Sequence, residues 1–248
     1  MVRGRSTVAT FYVATPLTHG ARVMLDAAAA HHARVRRLAE GEALCLTDGK
    51  GSRARAVLAG LGKSSLEIHV QEVEHVASPA ALHVLVPIGD RDRMLWLAEK
   101  ASELGVTSWQ GVRFERSKSV APRGEGEAFL EKVRARMVAA IEQSSGAWIP
   151  EVLPEIDAAA AVASNANATR LLLDVDGPPI LARPLEAPVA IALGPEGGIT
   201  SAEREAFVAS GWLPTSLGAS TLRFETAGIA AAAVIRAALA ATKEDDSV

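Results

Sequence analysis

Five consecutive apolar residues, Val189-Ala190-Ile191-Ala192-Leu193, lie between Pro188 and Gly194. A run of that length with branched side chains and no polar face fits a strand covered on both sides, the kind found inside parallel sheets flanked by helices. The chain then turns sharply. Gly194, Pro195, Glu196, Gly197 and Gly198 place three glycines within five residues, and glycine both tolerates positive φ and lets a ligand approach the bare backbone. Thr200 followed by Glu203 has the spacing of a capping box, which predicts a helix from there towards Gly211, with its open N–H groups pointing back at the glycine turn.

A second turn follows at Leu217-Gly218-Ala219-Ser220-Thr221-Leu222-Arg223-Phe224-Glu225-Thr226, and a small-residue helix runs from Ala227. Taken singly, either turn is no more than a tight connection. Two such turns after neighbouring strands make one crevice at the carboxyl edge of an α/β sheet, where ligands bind.

The rest of the chain splits into two parts. Residues 1–72 carry ten Lys and Arg against six Asp and Glu, and the remainder 16 against 23. The basic part suits a polyanionic partner, although a solvated surface explains four surplus charges equally well. Phe11–Val13, Ala43–Leu46, Ala54–Leu58 and Leu66–Val70 read as short strands of a small β barrel, interrupted by a helical segment at His31–Arg37. Residues 1 to about 10 are expected to be disordered or an edge extension. Gly49-Lys50-Gly51-Ser52-Arg53-Ala54 fits GxGxxA but lies between short strands, so it is a hairpin turn. Glu72–Ala80 reads as a linker. Leu82–Ile88 is then a strand, Arg91–Leu104 and Phe129–Gln143 are amphipathic helices, and Leu171-Leu172-Leu173-Asp174 is a strand ending in a carboxylate. Strands alternating with helices give a mainly parallel sheet.

Other classes are disfavoured. The single cysteine, Cys45, excludes an internal disulfide and a cysteine-based zinc site, so no metal is expected. No apolar segment follows Met1–Arg5, so no signal peptide is expected. Ala227–Ala241 is shorter than the ~20 residues of a membrane span and is interrupted by Arg236; it is read as a buried helix of a cytoplasmic protein. GxxxxGK[ST] is absent from the sequence, against a phosphate-binding NTPase.

The two glycine turns, with Leu222-Arg223-x-Glu225-Thr226-Ala227, resemble those of the SPOUT methyltransferases that methylate N3 of a uridine in 16S ribosomal RNA. Glu99-Lys100-Ala101, Glu103-Leu104-Gly105-Val106, Arg116-Ser117, Glu142-Gln143-Ser144, His31-His32 and Asp48-Gly49 resemble further blocks of that family, in the same order. The resemblance implies a PUA-like RNA-binding barrel at 1–75, and at 80–248 a SPOUT α/β domain with a carboxyl-terminal trefoil knot. It implies S-adenosylmethionine held by Leu172, Leu173 and Asp174, by Gly194, Pro195, Glu196, Gly197 and Gly198, and by Leu217, Gly218, Leu222 and Thr226. Arg223 and Glu225 become the catalytic pair, one for a phosphate or a uracil oxyanion and one for a proton, or else a structural ion pair closing the knot. Arg34, Arg36, Arg37, Arg53, Arg55 and Arg116 become RNA contacts, and Trp148 could stack on the target base or anchor the core. The partners implied are 16S rRNA or the small ribosomal subunit and a second copy of the chain, with one barrel presenting RNA to the other crevice.

The match has gaps. Thr10, Ala147 and Ser220 stand where the family has arginine, and Gly111 where it has proline. A SPOUT enzyme for another RNA position, or a non-catalytic RNA-binding or assembly factor, therefore stays open. The intact glycine turns weigh against the second.

Overall fold

The computed structural model describes residues 8–117 and 123–245. The expected disorder of the amino-terminal residues falls mostly on positions outside that range, and Thr10 already belongs to a strand. The chain divides into two compact units, Met1–Ser78 with Val138–Ile149, and Pro79–Met137 with Pro150–Val248.

The first unit contains β1 (Thr10–Tyr12), β2 (Arg22–Leu25), α1 (Ala27–Val35), β3 (Ala43–Thr47), β4 (Ser52–Leu61) and β5 (Leu66–His75). They form a five-stranded sheet in the order β1-β3-β4-β5-β2. Period-two alternation makes its core, with Ala54, Ala56 and Leu58 of β4 facing in alongside Leu66, Ile68 and Val70 of β5. Register shifts at Arg55/Ala56 and Leu58/Gly60 interrupt the β4–β5 ladder, the device by which a sheet gains curvature. Helix α1 starts earlier than the sequence suggests, because the Asp26 carboxylate accepts the N–H groups of Ala28 and Ala29 at 3.0 and 3.1 Å. The GxGxxA stretch is a hairpin turn, closed by Asp48 Oδ1 accepting from Lys50 N and Ser52 N.

Residues 147–149 strap that hairpin: Gly51 N donates to Ala147 O and Ile149 N to Gly49 O. Trp148 is an anchor of this strap. Its indole N–H donates to Val76 O at 3.1 Å, and a Cβ on Gly51 would stand 2.5 Å from its ring. Cys45, the free thiol of β3, is half-exposed.

The second unit contains β6 (Leu82–Pro87), α2 (Arg91–Glu103), β7 (Ser108–Arg113), α3 (Glu127–Ser144, whose last residues, from Val138, group with the first unit), β8 (Glu151–Asp157), α4 (Ala158–Ala163), β9 (Thr169–Leu173), β10 (Val189–Ala192), α5 (Ser201–Ala209), β11 (Leu213–Thr215) and α6 (Phe224–Asp245). Its six strands run β11-β9-β10-β6-β7-β8, every pairing parallel. β10 is the apolar run read from the sequence. It sits between β9 and β6 with all four residues buried, Ala192 level with Leu172 on one side and Leu85 on the other. The chain leaves β6 towards β7 and β8, then returns to build β9, β10 and β11 on the opposite side, so the strand order reverses between β6 and β10. Such a reversal opens a crevice at the carboxyl ends of the strands.

Helix α6 begins at Phe224, three residues before its expected start. Its apolar stretch Phe224–Ala241 is long enough to cross a membrane by length and composition, yet only 39% of it is buried, so the expectation of a wholly buried helix is corrected. Arg236 pins it within the unit by donating to the carbonyls of Leu104, Gly105 and Ala80, two of which end α2 and its turn and lack intrahelical donors.

His83 on β6 bonds Ser108 Oγ of β7 through Nδ1 at 2.7 Å. Burial pushes its imidazole below the ordinary value, against the opposing pull of Glu151. The unfolded chain therefore takes up a proton as the pH falls through about 6.5 while the folded one resists, so this contribution is complete above that pH and is lost below it. Urea midpoints measured at pH 7.5 and 5.5 should drop further in the native protein than in His83→Gln. Equal drops would remove His83 from the account.

Candidate active site

At the carboxyl edge of the sheet, over β11, β9 and β10, lies a cavity of about 260 Å³. Three strand ends build it. Leu172, Leu173 and Asp174 come from β9, Leu193, Gly194, Pro195 and Gly198 from the end of β10, and Thr215, Ser216, Leu217 and Gly218 from β11; Ser220, Thr221, Leu222 and Phe224 complete the second wall. The lining is apolar side chain interleaved with bare backbone. At Gly198 (φ +73°) and Gly218 (φ +139°), no protein atom lies within 4 Å of the place a Cβ would take. Both conformations favour glycine, and both walls thereby leave space beside the main chain for a ligand.

The walls are held from behind. Gly198 N donates to Pro195 O at 2.8 Å, closing the glycine turn. Thr200 and Glu203 form both halves of the capping box at the start of α5, and Glu203 Oε1 also accepts Glu115 N at 2.8 Å. The capping box takes up Thr200 N and Glu203 N of that first turn. Asp174 is fixed too, by Arg204 Nε at 2.6 Å and by Asp176 N. On the far side, Gly177 brings the loop after β9 against β11 so closely that a Cβ there would stand 2.4 Å from Thr215 N.

Of the residues expected around a cofactor, Leu172, Leu173, Asp174, Gly194, Pro195, Gly198, Leu217, Gly218 and Leu222 line the cavity together. Glu196, Gly197 and Thr226 are outside its lining. Glu196 instead pairs with Arg93 of α2, and Gly197 lies under Arg116, whose Nη1 donates to Gly197 O at 3.4 Å. Arg116 is thus at the glycine turn. Lining residues the sequence did not single out include Ile199, Arg204, Thr215 and Ser216. Arg204 comes from inside α5, and Thr215 and Ser216 from the end of β11, which with Pro214 at its middle has no clear strand signature.

Arg223 and Glu225 differ in setting. Arg223 is exposed just before α6, whereas Glu225 is buried in the first turn of that helix, its side chain 6% exposed. The cation beside Glu225 is Arg93, with Nε 3.8 Å from Oε1, and Oε2 has no hydrogen-bond partner among the described residues. Phe224, the residue between the two, packs on Gly89 at the end of β6.

In the first unit, Arg34 donates to Gly62 O, Arg53 pairs with Glu74 and also donates to Ser145 O, and Arg55 pairs with Glu72 at 3.5 Å. Arg36 and Arg37 show no side-chain partner among the described residues. Thr10 and Ala147 are 3% and 6% exposed, with Thr10 Oγ1 bonded to Ser145 Oγ, so neither position faces a partner. Ser220 differs in lining the crevice. Among the described residues, no His, Cys, Asp and Glu group could hold a metal ion.

Comparison with known proteins agrees with this geometry. Residues 76–236 match the model of the RNA methyltransferase domain family, and residues 25–71 that of the RNA methyltransferase PUA domain. The chain is 31% identical over 230 residues to the ribosomal RNA small subunit methyltransferase E of Synechocystis, covering 88% of this chain and 74% of that one. It is 30% identical over 240 residues to the protein of the same name from Mycobacterium bovis, covering 89% and 88%. The crystal structure of ribosomal RNA small subunit methyltransferase E from Neisseria gonorrhoeae bound to S-adenosyl methionine has a TM-score of 0.85 at 29% identity, over 94% of this chain and 98% of that one.

The close approach at Gly177 is testable without a ligand. Gly177→Ala drives a Cβ into the Thr215 backbone, an overpacking that costs about 1–3 kcal/mol, whereas Gly194→Ala meets only the Ile199 side chain at 3.1 Å. Thermal melting should rank Gly177→Ala well below Gly194→Ala. The reverse order would contradict the close packing of the loop after β9 on β11.

Proposed function

The chain belongs to the RNA methyltransferase family, and on that premise we propose that it methylates N3 of a uridine in small-subunit ribosomal RNA, using S-adenosylmethionine. The observation that carries this reading is the crevice itself. Two glycine walls with empty space beside Gly198 and Gly218, over a floor of Leu172, Leu193 and Phe224, fit an adenine and ribose that need close backbone approach and an apolar face. The bound cofactor supplies the electrophilic methyl group.

The protein then has three tasks: aligning the base, excluding water and removing the N3 proton as the new bond forms. Glu225 suits the last task. It lies outside the cavity lining, next to Phe224, which belongs to it, and its buried Oε2 has no hydrogen-bond partner among the described residues. Arg223, exposed at the end of the second wall, suits a phosphate or a developing uracil oxyanion, because a guanidinium presents a planar fork of donors to either. Arg116 beside Gly197 extends positive charge along the first wall. In the barrel, Arg34, Arg36, Arg37, Arg53 and Arg55 contribute phosphate contacts that position the RNA without reading its sequence. Surface ion pairs such as Arg55 with Glu72 are worth only ~0–1 kcal/mol and can yield to phosphate.

We further propose the domain division 1–75 and 80–248, a trefoil crossing of the two glycine walls, a homodimer and a cytoplasmic location. Exposed Ala233 and Ala237 on the partly uncovered α6 fit a second copy of the chain.

Calorimetric titration tests the cofactor site. Saturable binding is expected for S-adenosylmethionine and none for ATP, and Gly218→Val, which fills the second wall, should weaken it at least about tenfold. Arg223→Ala should keep that affinity nearly intact and cut methyl transfer to small subunits by about 100-fold or more. Absence of S-adenosylmethionine binding by the folded protein would overturn the enzyme reading; equal loss of affinity and turnover in Arg223→Ala would move Arg223 to the cofactor site.

A further inference from the structure

Arg93 is not part of the crevice lining, yet it touches two of the elements that make the crevice work. Asp90 caps α2 by accepting Arg93 N at 2.9 Å, which fixes the first turn of the helix. From there the guanidinium reaches two carboxylates from different segments. One is Glu196, inside the Gly194–Gly198 turn, paired through Nη1; the other is Glu225, in the first turn of α6. Their settings are unequal. Glu196 is 40% exposed on its side chain and Arg93 32%, against 6% for Glu225. A carboxylate buried that deeply without a counter-charge is strongly disfavoured, and Arg93 supplies that charge while leaving Oε2 uncommitted.

We propose that Arg93 is a positioning residue, a two-carboxylate clamp that holds the glycine turn through Glu196 and fixes the buried Glu225 beside Phe224 of the crevice lining. Its effect on turnover rests on the reading of Glu225 as proton acceptor, but its mechanical half does not. If Arg93 ties Glu196 down, it stabilises the turn in the protein without cofactor or RNA. A guanidinium can meet two carboxylates at once because its donors diverge in one plane.

The test has two arms. The first is amide hydrogen exchange at Gly198, whose N–H closes the turn onto Pro195 O, in protein free of cofactor and RNA. Exchange there should quicken by about tenfold in Arg93→Ala and in Glu196→Gln, the second variant guarding against a folding defect in the first. The second arm is kinetic. Arg93→Ala should lower kcat by about 100-fold and change the S-adenosylmethionine Kd by less than about threefold. In a Glu225→Gln background, the same substitution should cause little further loss, because the group through which it acts is already neutral. Unchanged exchange in both variants overturns the clamp. A full-sized further loss of kcat in the Glu225→Gln background overturns its action through Glu225. Lack of methyl transfer by the native protein would refute the proposed function instead, leaving the exchange arm to judge the clamp.

Discussion

The structure depends on β10 being covered on both faces and paired on both edges. Its four residues carry nothing polar, so the only stable place for them is the middle of a parallel sheet. With β9 on one side and β6 on the other, the polar chemistry is displaced to the strand end, where Leu193 N still donates to Leu85 O at 3.0 Å before the chain breaks into glycine. The same centrality gathers the ends of β9, β10 and β11 around one cavity. Asp174, Gly194 and Gly89 then stand at successive strand ends, and α6 closes over the last of them through Phe224. Chemistry in this molecule is an edge property of a sheet whose interior is inert.

Elements with a strong local signal were legible in the sequence. The β10 run, the Thr200/Glu203 cap, the Asp48–Ser52 hairpin and the existence of α2 all have causes within a few residues. So do most of the expected crevice residues, since both walls are glycine-rich turns after strands. What escaped was set by distant partners. β2, β7, β8 and β11 are short or carry mixed patterns, and they become strands only because an edge of a sheet is offered to them. Glu225 illustrates the same point. Two residues from Arg223, it invites pairing with it, but α6 starts at Phe224, turns Glu225 inward and places it beside Arg93, far away in sequence.

The basic amino-terminal part has a further lesson. Counting charges suggests an RNA-binding face, but Arg53 and Arg55 are matched by Glu74 and Glu72 across the β4–β5 ladder. Charge available to a polyanion is therefore smaller than the count, and Arg36 and Arg37 become prominent because no side chain among the described residues engages them. Thr10 and Ala147, where the sequence resemblance leads one to expect arginine, are small buried residues in the same strapped region. Packing fills those positions, whereas the crevice keeps its glycine walls.

The central claim concerns a single bond, between a methyl carbon and N3 of one uridine. The most direct measurement is incubation of the native protein with radiolabelled S-adenosylmethionine and small ribosomal subunits lacking that modification, followed by nuclease digestion and mass spectrometry of the nucleosides. The account predicts label in 3-methyluridine from the small-subunit RNA, approaching one methyl per subunit. Label in another nucleoside would contradict the assigned target, and no label from protein that demonstrably binds S-adenosylmethionine would contradict methyl transfer to this RNA.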